Sequence, residues 1–257
     1  MKSPIVLFTD IKTKHEFEAQ KLNGSKIFYF IYKDVWDLMN ELEKTRNKSY
    51  INEYKYNQLD KDPEKNIHNP NLYAIWNLKA FICNKTAYLN PFKSKFFIYS
   101  DLGSWRNGII QNWPDQRFIF YLNQYLNNRM FFGQINYVKD YNDFNKNTGY
   151  IEGTFFAGSG LAIKKYAKAF YDVHDDRLFN QKLFIGKDQT MMNYLVYKTK
   201  SSSSNYVLFK TWKLHGCDLN NDIKIYDPWF FYQQYFSSES NFNCSFDKRL
   251  SILTNLF

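Results

Sequence analysis

The sequence predicts an α/β fold: a single domain with a mostly parallel central sheet flanked by helices. Three observations lead there. Short runs of β-branched and aromatic residues alternate with segments of helical spacing, an order that produces crossover connections. Hydrophobic residues make up 44% and aromatic residues 20% of the 257 positions, enough to bury a sizeable core and to exclude disorder as the main state. No run approaches the roughly eighteen apolar residues of a membrane-spanning helix.

Ile5-Val6-Leu7-Phe8 reads as a first strand, followed by a polar helical segment over 12–22. Lys26 to Tyr32 is a second strand, and Asp34 caps a helix reaching about Leu42. The polar stretch from Lys44 to His68 reads as a long connection with one helical piece. Asn69-Pro70 then opens a helix, an N-cap residue followed by proline at the first position. Leu72, Ile75, Trp76, Ala80, Cys83 and Ala87 form its apolar stripe, and Asn90-Pro91 stops it. Phe96-Phe97-Ile98-Tyr99 is a third strand, Met130-Phe131-Phe132 another, and Thr154-Phe155-Phe156-Ala157 a further one. Helices follow from Leu161 to Asn180 and from Asp188, then a low-complexity loop over Ser201–Ser204 and a late strand, Tyr206 to Phe209.

The formal net charge of +9 comes from 28 lysines and 6 arginines against 25 acidic residues. The basic residues are scattered, whereas a nucleic-acid groove clusters them beside stacking or base-reading groups, so no nucleic-acid partner is expected. A phosphorylated small molecule or peripheral contact with an anionic membrane surface fits the charge equally well. The N-terminal apolar run meets Asp10 at once and does not read as a secretory signal. A cytoplasmic or peripheral-membrane location is therefore expected. Cys83, Cys217 and Cys244 lie far apart with no C-x-x-C, which argues against a disulfide framework or a zinc knot.

Ligands of α/β folds bind beyond the carboxyl ends of strands, so polar residues there are the candidates. Asp101 closes an apolar run, with Gly103 two residues on and Arg106 one turn away. Its carboxylate either holds a divalent cation or ribose hydroxyl, or caps the next turn and pairs with Arg106. Lys79 falls inside the apolar stripe of its helix, where it pairs with a carboxylate or phosphate or reaches for the rim. Asp188, in Gly186-Lys187-Asp188-Gln189, serves as an N-cap or sits where a helix N-terminus meets a ligand. Gly158-Ser159-Gly160 follows a strand and opens a helix, half of a dinucleotide fingerprint, with Ile163 where the last small residue belongs. Of the four histidines, His174 reads as core and His15 and His68 as surface. His215, before Gly216, is the one to consider as a ligand.

Together these segments resemble the HtrL/YibB family. The residues that carry the likeness are Trp76-x-x-Lys79, Asn90-Pro91-Phe92, Phe96 through Gly103 with Arg106, Glu152 through Ser159, Gly186 through Asn193, and Asp227-Pro228-Trp229-Phe230. That family is similar to GT-A nucleotide-sugar transferases, and its bacterial members are linked with surface-polysaccharide genes. The resemblance implies a Rossmann-like GT-A domain over 1–257 and transfer of a sugar from a nucleotide-diphosphate donor to a glycan or glycolipid acceptor. Pro4 to Asp10 resembles the family's second strand, so the first is expected to be missing. The resemblance places Asp188 as catalytic base or positioner. Donor binding falls to Lys79, Asp101, Gly103, Arg106, Gly158, Ser159 and Gln189, with Lys79, Arg106 and His215 neutralising the diphosphate. A divalent metal, manganese or magnesium, would lie on Asp101 and His215. Asp101-Leu102-Gly103 has glycine where such enzymes carry a second acidic residue. The other expectation is a non-catalytic carbohydrate- or partner-binding protein on the same scaffold, to which the aromatic content is suited.

Overall fold

A computed structural model describes residues 3–19, 26–105, 113–138, 149–198, 205–210, 217, 231–237 and 243–254. Two small sheets and two helical layers make up the described chain. Strand β1 (Ile5–Thr9) leads into helix α1 (Ile11–Ala19) and returns as β2 (Ile27–Ile31), pairing parallel with β1 from Ile5↔Ile27 to Thr9↔Ile31. Helix α2 (Val35–Arg46) is capped by Asp34, whose carboxylate accepts from the N–H groups of Trp36 and Asp37.

The stretch expected as a long connection with one helical piece carries a run of short helical turns over 50–61. A short turn, α3 (Tyr50–Asn52), runs into a π-helical turn over 53–57 and a 3₁₀ turn over 59–61. Its many lysines and asparagines face solvent while Tyr50 and Tyr54 are wholly buried. Helix α4 (Pro70–Leu89) starts and stops as predicted: the Asn69 side chain accepts from Leu72 N–H, and Asn90 ends it in the left-handed conformation.

The second sheet has the order β3 (Phe96–Ser100), β5 (Ile151–Ser159), β4 (Met130–Gln134), β6 (Tyr206–Lys210). Here the expectation of a mostly parallel central sheet needs correcting. Strands β4 and β6 are parallel, but β5 lies between β3 and β4 and pairs antiparallel with both. Helix α6 (Gly160–Asp175) follows β5 directly and ends in a π turn over 176–180; α7 (Asp188–Lys198) comes next. Helix α5 (Gln116–Tyr125) precedes β4, and α8 (Phe231–Tyr235) and α9 (Phe246–Thr254) close the chain.

The sheet separates two apolar cores. Residues from α2, α4, α6 and α7 pack with Phe132, Phe156 and Met130 on one face. On the other, α5, α8 and α9 pack with Phe131, Phe155 and Phe209. Alternation along the strands explains this, because neighbouring side chains point to opposite faces. His174 is buried in the first core, as expected, with Nε2 2.6 Å from the Tyr54 hydroxyl. His68, expected at the surface, is half-buried, its Nδ1 2.8 Å from Asp62 Oδ2. Against the expectation of no disulfide framework, one bond is present: Cys217 and Cys244 are joined, and Cys83 is free and buried. Among the described residues no helix is long and apolar enough to cross a membrane.

Candidate functional site

Strand β3 carries its aromatic residues alternately into the two cores and ends where Asp101 N–H donates to Thr154 O, 3.0 Å, the last rung to β5. Tyr99 and Asp101, two residues apart, share a face of the strand. The Tyr99 hydroxyl donates to Asp101 Oδ1, which fixes the carboxylate at the strand's end. From α4, Lys79 Nζ donates to Asp101 Oδ2 at 3.3 Å and to Gly153 O at 2.9 Å. It also lies 3.1 Å from Asp188 Oδ2.

Asp188 is the first residue of α7, and its Oδ1 accepts from Gln189 N–H at 3.0 Å. The segment before it is pinned from two sides. Asn77 on α4 donates to Ile185 O and Gly186 O, at 3.0 and 2.9 Å, and Gln58 Oε1 accepts from Ile185 N–H at 2.8 Å. Gly153 completes the arrangement: a Cβ there would sit 3.2 Å from both carboxylate oxygens of Asp188. Glycine therefore lets β5 approach closely enough for its carbonyl to meet Lys79.

Lys79 is 3% and Asp188 4% exposed. Burial works against the charge on Lys79, but Asp188 and Asp101 outweigh it and hold the ammonium above its ordinary range. Burial likewise lifts the Asp188 carboxyl above the usual carboxylate range, with Lys79 opposing and Asp101 reinforcing the lift. The two shifts compete for one proton, and geometry favours the lysine, which has three oxygen partners within 3.3 Å.

A cleft of ≈ 1470 Å³ opens beside this cluster, and Lys79, Asp101 and Gly103 are part of its wall. Asp101 presents the accessible carboxylate, with 28% of its side chain exposed. Asp188 is not on that wall; it sits behind Lys79, in contact with β5. The apolar stripe read along α4 is divided in a corresponding way. Leu72, Ile75, Trp76 and Cys83 of that stripe line the cleft and Ala80 is buried in the core, which Tyr73, Ala74, Leu78 and Phe81, outside the stripe, also enter.

The structure thus brings Lys79, Asp101 and Asp188 together and sets Gly103 beside them. Gly158 and Ser159 are elsewhere. Because β5 is antiparallel, its end lies beside Phe96, the start of β3, about five residues or roughly 17 Å from Asp101. Ser159 there caps α6 by accepting from Ala162 N–H at 3.2 Å. A Cβ on Gly158 would meet Met130 Sδ at 2.7 Å, so that glycine serves packing. Gln189 turns its side-chain amide to Ile151 O, 3.1 Å away, rather than to the cleft. Arg106, His215 and the 227–230 segment lie outside the described residues.

Sequence reasoning overlooked Tyr99, Gly153, Asn77 and Gln233. The i, i+2 spacing of Tyr99 and Asp101 was a usable signal. Gln233 was not findable by spacing: from α8 its Nε2 reaches Ser104 Oγ at 3.0 Å and Thr154 O at 3.2 Å, closing the base of the site from the far face.

A metal on Asp101 does not fit the described residues. The Lys79 ammonium lies 3.3 Å from Asp101 Oδ2 and already brings a positive charge to the space a cation would need. The described side chains spaced to hold a metal are Asp62, Glu64 and His68, with ligand atoms within 4.8 Å of one another. These are bonded to protein partners: Asp62 Oδ2 accepts from the Tyr73 hydroxyl at 2.6 Å, and Glu64 pairs with Lys187.

No family model, no curated protein and no solved structure matches this chain.

Proposed function

We propose that the Asp101 end of the cleft binds a nucleotide-diphosphate sugar and that the protein transfers this sugar to a glycan or glycolipid acceptor. One observation carries the reading: a partly exposed carboxylate at the carboxyl end of a strand, on the wall of a large cleft, is locked in place by a tyrosine hydroxyl and a buried lysine. Such a carboxylate accepts hydrogen bonds from vicinal hydroxyls, which ribose and hexoses both offer. Its orientation costs the ligand nothing, because Lys79 and Tyr99 have already set it. Trp76 and Phe97, on the cleft wall, supply apolar surface for a base or sugar ring. Arg106, shortly after Asp101 in the sequence, is the sequence's candidate for the diphosphate. Lys79 is not free for that task, being shared by two carboxylates and a carbonyl. Neutralisation in this reading needs no metal on Asp101.

Calorimetry with UDP-, GDP- and CMP-sugars, with and without manganese, tests this. Binding of one donor class without metal, weakened at least about tenfold by Asp101→Asn, is the expected result. Failure of every donor to bind overturns the reading, and strict dependence on manganese overturns its metal-free form.

The burial of Asp188 favours a second reading. The carboxylate expected as base is sealed behind Lys79, which suits a non-catalytic carbohydrate-binding protein. Glycan binding with no donor turnover would select it; Asp101-dependent turnover would exclude it.

A further inference from the structure

The charges around the second sheet are sorted along its strands. Between residues 65 and 171 the described acidic residues are Asp101, Asp115 and Glu152. All three lie toward the Asp101 end. Glu152 adjoins Gly153, and Asp115 follows Trp113, whose indole N–H donates to Gln233 O at 2.8 Å. At the other end of the strands Phe96 pairs with Ser159 and Met130 with Tyr206. The last turn of α4, the 90–95 loop, the turn before β4 and the start of α6 meet there. A Cβ on Gly160 would lie 3.9 Å from Ala87 Cβ, and Ser159 Oγ donates to Asn128 Oδ1 at 2.9 Å. Lys165 and Asn128 border one small cavity.

These segments expose basic and apolar side chains together. Lys93, Lys95, Lys164 and Lys165 are exposed, and among the described residues none of them pairs with a carboxylate. The next carboxylate along α6, Asp172, is taken by Lys168 and Arg46. Tyr88 is 86%, Leu89 50% and Leu161 49% exposed. Leu161, Lys164 and Lys165 share the outer face of α6 by their i, i+3, i+4 spacing, while Ala162, Ile163 and Tyr166 are buried on its inner face. Tyr88 and Leu89 close α4. The Asn90 side chain holds the following loop, accepting from Ser94 N–H at 2.7 Å and donating to Ser94 O at 2.9 Å, so Lys93 and Lys95 stand on a fixed turn.

We propose that this end of the protein docks on an anionic membrane surface. Its four unneutralised lysines meet anionic headgroups, each contributing roughly fivefold to partitioning. Leu89 and Leu161 enter the boundary between headgroups and acyl chains, where the ring and hydroxyl of Tyr88 are both at home. Nucleic acid would use the lysines but set the two leucines against phosphate and water. A bilayer surface uses both. The patch lies at the opposite end of β3 from Asp101, so the proposal does not rest on donor binding there.

The test sediments the full chain with vesicles of phosphatidylcholine alone and of phosphatidylcholine with roughly one-third phosphatidylglycerol. Binding to the anionic vesicles at least about tenfold tighter than to the neutral ones is expected, and about 0.5 M salt should reverse most of it. Lys164→Gln with Lys165→Gln should weaken binding at least about tenfold, and so should Leu89→Ser with Leu161→Ser at unchanged charge. All four side chains are exposed, so urea midpoints should stay where they are. Tyr88→Trp adds a reporter that bromine-labelled acyl chains should quench beyond any quenching of the parent protein. No binding, equal binding to both vesicles, or a lysine pair without effect overturns the proposal. A leucine pair without effect leaves bare charge attraction and overturns it too, as does an unquenched Tyr88→Trp or displacement from the vesicles by a mixed-sequence oligonucleotide. Lys164→Gln with Lys165→Gln leaves donor affinity unchanged and Asp101→Asn leaves vesicle affinity unchanged, which keeps the two readings separable.

Discussion

Lys79 shows how one side chain decides what its surroundings can do. Among the described residues its ammonium is the charge that neutralises a nearly sealed pocket holding Asp188, Gly153 O and one oxygen of Asp101. Removing it strands a buried carboxylate, so Lys79→Met should cost about 3–5 kcal/mol. Urea unfolding measures this, and a loss under about 1 kcal/mol would mean that the pocket is wetter than its burial implies. His174 makes a second residue-level case, this time for pH. Burial holds its imidazole below the ordinary histidine range, against the pull of Asp175. The unfolded chain therefore takes up a proton, near pH 6.5, before the native state does. The stability linked to His174 is complete above that pH and is lost as pH falls through it toward the native value. Tm should decline from pH 7 to pH 5, and His174→Phe, though less stable at pH 7, should flatten that slope. An unchanged slope in the variant would assign the decline to other groups.

Among the elements, β5 carries the lesson about what local sequence can and cannot convey. Strand β3 with its terminal Asp101, both ends of α4, and the start of α7 at Asp188 were readable, because caps, proline placement and an apolar run ending in a charge are local signals. The direction of β5 was not readable, since strand pairing joins residues far apart along the chain. With it went the assignment of Gly158 and Ser159, while the glycine that does touch the cluster, Gly153, stands at the strand's other end. Over 50–61 composition conveyed less helix than forms, because surface lysines and asparagines outnumber the two buried tyrosines that anchor the segment. Strand β4 supplies a prediction at this scale. All five of its residues are buried, and Gly133 lies directly under the ring of Tyr232, whose hydroxyl donates to Phe209 O at 2.6 Å. A methyl group at Gly133 would fall 1.9 Å from Tyr232 Cε2, inside the ring's own contact distance. Gly133→Ala should therefore displace Tyr232 and cost about 1–3 kcal/mol or more. Chemical denaturation reads the loss, and near-ultraviolet circular dichroism reads the tyrosine. Unaltered stability would show that α8 shifts freely against the sheet.

At the scale of the molecule, the two cores are held differently. The α2, α4, α6 and α7 core closes through long helices and a dense set of aromatic contacts. The opposite core relies on α5 and two short helices, α8 and α9, and it is there that the Cys217–Cys244 bond lies. Cys217 is wholly buried within that core, and the bond closes a loop of 27 residues. Restricting the unfolded chain by a loop of that length contributes about 3.5 kcal/mol. Reduction, or replacement of both cysteines by serine, should lower the unfolding free energy by about that amount. Labelling counts the thiols independently. Denatured without reductant, the protein should react at one cysteine, Cys83, and after reduction at all three. The stability of the α4 core should change little, so amides of α4 and α6 should keep their exchange protection while those of α8 and α9 lose theirs first. Three reactive thiols before reduction would show that the second core closes without its bond. Disulfides persist in oxidising surroundings, so the same thiol count, taken on protein from its own cell, tells whether it works in such a compartment or at the cytoplasmic or peripheral-membrane location expected from its sequence.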